Sequence, residues 1–161
     1  MILICYDGSA DAKAAIESCG ELLQGQPATV LTVWEPFVEV ITRAYAGFGP
    51  MAGMVDQEKI DEVTREDAEK RAADGAAHAR AAGLDAEPRT SAQQTSVADA
   101  ILKEAEEIDA SAILMGSRGL TGLKSVLLGS VSSGVIHRAD RPVIVAPSPE
   151  VAAARRADRM R

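Results

Sequence analysis

Two clusters of glycines and hydroxyls interrupt the C-terminal third of the chain: Gly116-Ser117-Arg118-Gly119 and, nine residues on, Gly129-Ser130-Val131-Ser132-Ser133. The first follows an apolar run over 111–115; the second opens a helical run, Gly134-Val135-Ile136-His137-Arg138. A helix start carries amide N–H groups with no acceptor in the helix and the positive end of its dipole. An anion docked at Gly129 to Ser132 therefore gains hydrogen bonds and favourable charge together. The hydroxyls of Ser130, Ser132 and Ser133 add donors. Gly116 and Gly119 let backbone approach a ligand where a Cβ would collide, or take a positive φ in the turn. The chemistry this spacing favours is phosphate binding. Singly, each residue has a plainer role, Ser130 as an N-cap and the glycines as turn formers. The combination, one cluster after a buried strand and one at a helix start, is hard to motivate by turn chemistry alone.

Two familiar phosphate motifs are absent. In Gly119-Leu120-Thr121-Gly122-Leu123-Lys124-Ser125, Leu123 separates glycine from lysine, whereas a Walker A loop needs Gly-Lys-Ser/Thr in succession. No residue ahead of Gly116 and Gly119 completes a GxGxxG pattern. Arg118 and Lys124 can neutralise phosphate charge, with Arg118 better placed. Asp7, at the end of an apolar run, reads as a ligand-side acid or as the cap of the next helix, where Ser9 is also a good cap. His137 lies where a helix C-terminus favours a cation and reads as capping or surface; His78 reads as exposed. Cys5 and Cys19 form no CxxC pair and have no histidine cluster beside them, which suits buried thiols in a reducing compartment.

The elements that must position these residues follow from periodicity. An apolar run over 2–6 ends at Asp7-Gly8-Ser9, after which Ala14, Ala15, Ile16, Cys19, Leu22 and Leu23 recur with helical spacing. Residues 28–34 (ATVLTVW) are a second, β-branched strand bounded by Glu35-Pro36. The segment 36–55 mixes Phe37, Tyr45 and Phe48 with glycines and prolines and has no clean period. With Met51 and Met54 it reads as a lid over a base, a partner surface or a satellite of the core. Residues 56–82 predict a long charged helix with Ile60, Val63, Ala68 and Ala72 inward, closed by Gly83. A polar edge strand follows over 84–92. Residues 97–108 predict a helix with Ala98, Ile101, Leu102 and Ala105 inward, opened by Thr95 or Ser96. Apolar runs at 111–115 and 143–146 are the last strands, and the tail 148–161 reads as frayed or helical in part. This βαβαβαβαβ alternation predicts a parallel sheet covered by helices on both faces, joined by right-handed crossovers. In such sheets ligands bind beyond the carboxyl ends of the strands, where Asp7, Trp34-Glu35 and Gly116 fall.

At 161 residues, 47% hydrophobic and 25% charged, the chain reads as one globular domain. The net charge of -7 argues against nucleic acid or a membrane surface as a general partner and leaves a small ligand or a protein. The N-terminus lacks the basic region of a signal peptide, and no apolar run is long enough to span a bilayer. The expectation is a cytoplasmic protein.

The full pattern of glycine, two residues, glycine, nine residues, glycine and then Ser closely resembles the ATP-binding branch of the universal stress protein family. ILICYDGSADA resembles that family's opening strand with its acidic terminus, VLTVWEP its second strand, and HRADRPVIVAP its closing segment, so the likeness covers residues 2–147. It implies a Rossmann-like (adenine nucleotide alpha hydrolase-like) α/β fold, a doubly wound five-stranded parallel sheet of order 3-2-1-4-5. It also implies a domain over 1–147 with 148–161 as a tail. By the same resemblance Asp7 lies near the ribose and metal, and Val33 offers backbone hydrogen bonds to adenine. Met115, Gly116, Arg118 and Gly119 line the ribose-phosphate side, and Gly129, Ser130, Val131 and Ser132 take the phosphates. Cys5 stands where ATP-binding relatives often carry Pro, and Tyr6 is bulkier than their frequent Thr, which implies an adenine wall of different shape at these two positions. The implied ligand is ATP, with AMP and cyclic AMP as alternatives and Mg²⁺ accompanying ATP. The implied assembly is a homodimer. Residues 143–145 (Val143, Ile144, Val145) would pair with their twin across a two-fold axis, hiding a strand edge; simple burial of one face is the plainer reading. The function implied is a nucleotide-binding regulator or sensor of stress. A slow ATPase is one alternative, for which Asp7 alone is thin evidence of a metal clamp and no water-orienting residue stands out. An interaction module independent of nucleotide is the other.

Overall fold

The computed structural model describes residues 1–44, 56–119 and 128–160, with 41–44 by backbone alone. Tyr45, Phe48, Met51, Met54 and Lys124, and hence most of the segment expected to act as a lid, lie outside the described residues. In chain order the elements are β1 (Ile2–Cys5), α1 (Ala10–Cys19), β2 (Pro27–Trp34), α2 (Phe37–Ala44), α3 (Gln57–Ala81), β3 (Asp85–Ala92), α4 (Val97–Glu107), β4 (Ala112–Gly116), α5 (Ser130–Arg138), β5 (Val143–Ala146) and α6 (Pro149–Arg159).

The five strands form one sheet in the order β3-β2-β1-β4-β5, every pair parallel, so the predicted order is the one found. Registers such as Cys5↔Leu31 and Ile4↔Leu114 bring the carboxyl ends of β1, β2 and β4 to one side. Successive strand residues face opposite ways. Ile2, Ile4 and Tyr6 therefore enter a core with Ala15, Ile16, Ala76 and Ala79 of α1 and α3, while Leu3 and Leu31 join Ala98, Ile101 and Val135 of α4 and α5 on the other face. The polar strand β3 lies at an edge, where Pro88, paired with Val30 and without an N–H to donate, is tolerated.

Several helices differ from the periodic reading. After α1 ends at Cys19 the chain turns, so Leu22 is 74% exposed while Leu23 stays buried. In α3 the buried stripe is Ala68, Ala72, Gly75, Ala76 and Ala79, and Val63 is 53% exposed. Small residues let α3 lie close on the sheet: a Cβ on Gly75 would come within 2.6 Å of the Tyr6 ring and 2.8 Å of Val30 Cγ1. The helix closes as predicted at Gly83, whose φ of +92° suits glycine; Gly83 N–H donates to Arg80 O and Leu84 N–H to Ala79 O. Helix α2 lies in the segment read as having no clean period, and its start is held from outside the helix, Asp61 Oδ1 of α3 accepting from Phe37 N–H at 2.7 Å. The tail forms α6 over most of its length, capped by Ser148, started at Pro149 and anchored by buried Val151.

Candidate functional site

Strand order reverses between β1 and β4, and the segments after these two strands meet there. Asp7 follows β1. Its Oδ1 accepts from Ser9 N–H at 2.9 Å, and Ser9 Oγ in turn accepts from Ala12 N–H at 3.1 Å. Ser9 is thus the cap of α1, and Asp7 braces the cap. Gly8 makes the turn possible at φ +82°. Asp7 Oδ2 reaches the other segment: a Cβ on Gly119 would stand 2.7 Å from it.

The start of α5 forms the second side. Gly129 is its N-cap, extended at φ -62° and ψ 154°, with no side-chain cap. The first bond of the helix is Ser133 N–H to Gly129 O at 2.9 Å, so the amides of Ser130, Val131 and Ser132 precede every acceptor of α5 itself. Gly129 N–H donates to Ser117 O at 2.9 Å, and a Cβ on Gly129 would lie 3.4 Å from Arg118 Cα. The two glycine clusters are therefore in contact. One expectation needs correcting. Ser132 Oγ is buried and donates to Gly116 O at 2.9 Å, so its hydroxyl ties α5 to β4, and only its amide remains to meet an anion. Ser130 is exposed at the mouth of the cradle.

The turn after β4 is held by residues that periodicity did not single out. Ser117 is fully buried; its N–H donates to Ala146 O at 3.0 Å and its Oγ to Asp11 Oδ2 at 3.0 Å. Arg118 Nε lies 3.7 Å from the same Asp11 oxygen. Gly116 is a glycine for packing, since a Cβ there would meet the Asp11 carbonyl carbon at 2.9 Å and Ala12 N at 3.1 Å. The left-handed φ considered for Gly116 and Gly119 is taken by neither. Asp11 and Ser117 were missed because an acid in a first helical turn and a serine in a glycine turn both look ordinary in sequence.

An apolar wall flanks this side of the sheet. Cys5, Val33, Met115 and Val131 share the cluster under α4 and α5. Tyr6 N–H donates to Leu31 O, and strand alternation turns the backbone of Val33 to that same side, beyond the last β1 pair at Cys5↔Leu31. Burial, and secondarily the charge of Asp7, pushes the Cys5 thiol up to about 12. Tyr6 corrects another expectation. Its ring points to the opposite face, 2% exposed, and its hydroxyl donates to Asp74 Oδ2 at 2.6 Å, so Tyr6 does not line the wall that Cys5 lines. Burial first, then that bond, raises the tyrosine above its usual range, while the bond holds Asp74 below the usual carboxylate range. His78 is half-buried, 3.6 Å from Asp74 and beside the Tyr6 ring, where the sequence suggested exposure; His137 is exposed.

Among the described residues no group of three or more His, Cys, Asp or Glu is placed to hold a metal, and no helix is long and apolar enough to cross a membrane.

Residues 1–147 match the universal stress protein family. The universal stress protein YxiE of Bacillus subtilis is 30% identical over 152 residues, covering 89% of this chain and 96% of that one. The structure of MJ0577 from Methanocaldococcus jannaschii superposes with a TM-score of 0.70 at 24% identity, over 91% of this chain and 94% of that chain. A universal stress protein of Archaeoglobus fulgidus, solved in complex with dAMP, superposes with a TM-score of 0.58 at 23% identity, over 90% of this chain and 95% of that one. With the match running through both glycine clusters and all five strands, this chain belongs to the universal stress protein family.

Proposed function

We propose that this chain binds an adenine nucleotide at the carboxyl ends of β1 and β4, with ATP as the ligand and AMP and cyclic AMP as alternatives. It acts as a cytoplasmic, homodimeric stress-response regulator rather than as a catalyst. The observation that carries the reading is the start of α5, where the amides of Ser130, Val131 and Ser132 adjoin the 116–119 turn. Phosphate oxygens are held by those amides and the Ser130 hydroxyl, the ribose lies beside Asp7 and Gly119, and adenine rests against Cys5, Val33 and Met115. The dAMP bound by the Archaeoglobus fulgidus protein of the same fold supports an adenine nucleotide. Mg²⁺ fits this arrangement as a guest of the nucleotide, because it is commonly bound by one or two carboxylates together with substrate phosphates. Asp7 is the carboxylate at hand, and the ion would supply neutralisation of phosphate charge. The homodimer pairs through the outer edge of β5, whose Val143, Ile144 and Val145 are half-buried in one chain. Residues 1–147 are the nucleotide-binding domain, and 148–161 are appended to it. Regulation follows from linkage, since a ligand that binds only the closed, folded site shifts the ensemble towards it.

Mass spectrometry of the small molecule that copurifies, together with thermal melting in ATP and Mg²⁺, tests the reading. An adenine nucleotide and a rising melting temperature are expected, with stabilisation of about 2.7 kcal/mol at a hundredfold excess over Kd. Gly129→Val, which crowds Arg118 and the amides, lowers ATP affinity by about tenfold or more, on the order of 1.4 kcal/mol, and leaves the unliganded fold intact; unchanged affinity overturns the assigned site. Phosphate release from ATP stays at background and is indifferent to Asp7→Ala.

A further inference from the structure

Helix α5 starts without a cap of its own, because Gly129 has no side chain to accept from the first amides. Its start is held instead by two bonds to the end of β4 and the turn after it: Gly129 N–H donates to Ser117 O at 2.9 Å, and Ser132 Oγ donates to Gly116 O at 2.9 Å. The placing of the α5 amides therefore depends on what fixes Ser117. That residue is wholly buried, and each of its polar groups is used on a different element. The carbonyl holds Gly129, the N–H donates to Ala146 O of β5 at 3.0 Å, and Oγ donates to Asp11 Oδ2 of α1 at 3.0 Å. The first two are backbone bonds that any residue at 117 could make. Only the third is owed to serine.

Asp11 stands in the first turn of α1, the helix capped by Ser9, whose own N–H is held by Asp7 Oδ1 at 2.9 Å. The bond from Ser117 to Asp11 thus ties the Asp7 side of the site to the start of α5. Its reach is short because Gly116 lets the end of β4 lie against α1; a Cβ there would meet the Asp11 carbonyl carbon at 2.9 Å. We infer that Ser117 is a positioning residue for the phosphate end of the nucleotide. Through its hydroxyl on Asp11 it fixes the peptide whose carbonyl anchors Gly129, and so presents the amides of Ser130, Val131 and Ser132 before ligand arrives. The inference rests on the nucleotide reading above. Without this bond the turn takes up other arrangements and a ligand binds only the fraction that is correctly set, so affinity falls with that fraction. One hydrogen bond biases such a population by roughly two- to twelvefold.

The test titrates ATP, AMP and adenosine into the full chain and into Ser117→Ala, Asp11→Ala and the double variant by calorimetry. Ser117→Ala keeps both backbone bonds and removes only the hydroxyl. It is expected to weaken ATP and AMP by roughly two- to twelvefold with adenosine unchanged. Asp11→Ala breaks the same bond from its other end and also removes the charge 3.7 Å from Arg118 Nε, so it lowers the ratio of ATP to adenosine affinity at least as much. That ratio cancels any general loosening of the fold. Adding Ser117→Ala to Asp11→Ala lowers it no further, because the bond is already gone. Equal losses for ATP and adenosine, an unchanged ratio in either single variant, or an undiminished effect of Ser117→Ala in the Asp11→Ala background overturns the role of Ser117 while leaving the nucleotide site standing. A wild-type chain that binds ATP no more tightly than adenosine overturns the phosphate cradle itself, and this inference with it.

Discussion

Gly119 and Gly116 lie three residues apart and are both required to be small, for different reasons. At Gly119 the neighbour is the Asp7 carboxylate, 2.7 Å from where a Cβ would stand; at Gly116 it is the backbone of α1, 2.9 Å away. A carboxylate can rotate and a helix backbone cannot. Gly119→Ala is therefore expected to melt within a few degrees of wild type while weakening ATP by about fivefold, roughly 1 kcal/mol, because Asp7 must swing out of the cradle. Thermal melting beside calorimetry checks this, and an unchanged affinity would separate Asp7 from the ligand. At this scale the glycines were legible as a pattern, whereas their causes were not. Which atom lies above a glycine depends on segments a hundred residues away, as Asp7 and Asp11 do here.

Among the elements, α3 and β1 show how local preference yields to packing. Gly75 sits inside a long helix, where alanine would be favoured by about 1 kcal/mol on propensity alone. A Cβ there would instead meet the Tyr6 ring at 2.6 Å and Val30 at 2.8 Å, and the ring is pinned by its hydroxyl on Asp74. Overpacking of this kind costs about 1–3 kcal/mol, so Gly75→Ala is expected to lower stability, read as a lower urea midpoint with an unchanged m-value; a rise would mean that the helix shifts freely. Tyr6 also shows why the wall expected to meet adenine differs from the sequence reading. Cys5 and Tyr6 are adjacent in sequence, and strand alternation sends them to opposite faces. Helix α2 likewise takes the partner of its first N–H from Asp61, twenty-four residues on, a contact that its own sequence does not announce.

For the molecule as a whole, two partnered carboxylates contribute to the response to acid. Asp74 is held below the usual range chiefly by the Tyr6 hydroxyl, and Asp99 by the Ser96 hydroxyl and then by Arg138 of α5. A folded-state value below the unfolded one stabilises the fold above the unfolded value, near 3.9 for aspartate, and the stabilisation is lost as pH falls through the folded value. The melting temperature is expected to be insensitive to these two groups between about pH 5 and 7 and to fall below about pH 4. Asp74 is exposed and Asp99 half-buried at the surface, so the fall is shallow, and salt screens the share owed to Arg138. Tyr6→Phe should flatten part of the acid limb in melts at graded pH; an identical acid limb would deny Asp74 its part.

Sequence alone determined the alternation of buried strands and helices, hence a parallel sheet, and the start of α5 at Gly129-Ser130, because these follow from residue periodicity and cap chemistry within a few positions. The resemblance carried by the glycine spacing supplied the strand order. Tertiary structure decided the rest. It turned the Ser132 hydroxyl onto Gly116, sent Tyr6 to the far face, and set Asp11 against Ser117 and Arg118. Those outcomes depend on which chain segments become neighbours across the sheet, and no local pattern of residue types encodes the partner of a buried polar group.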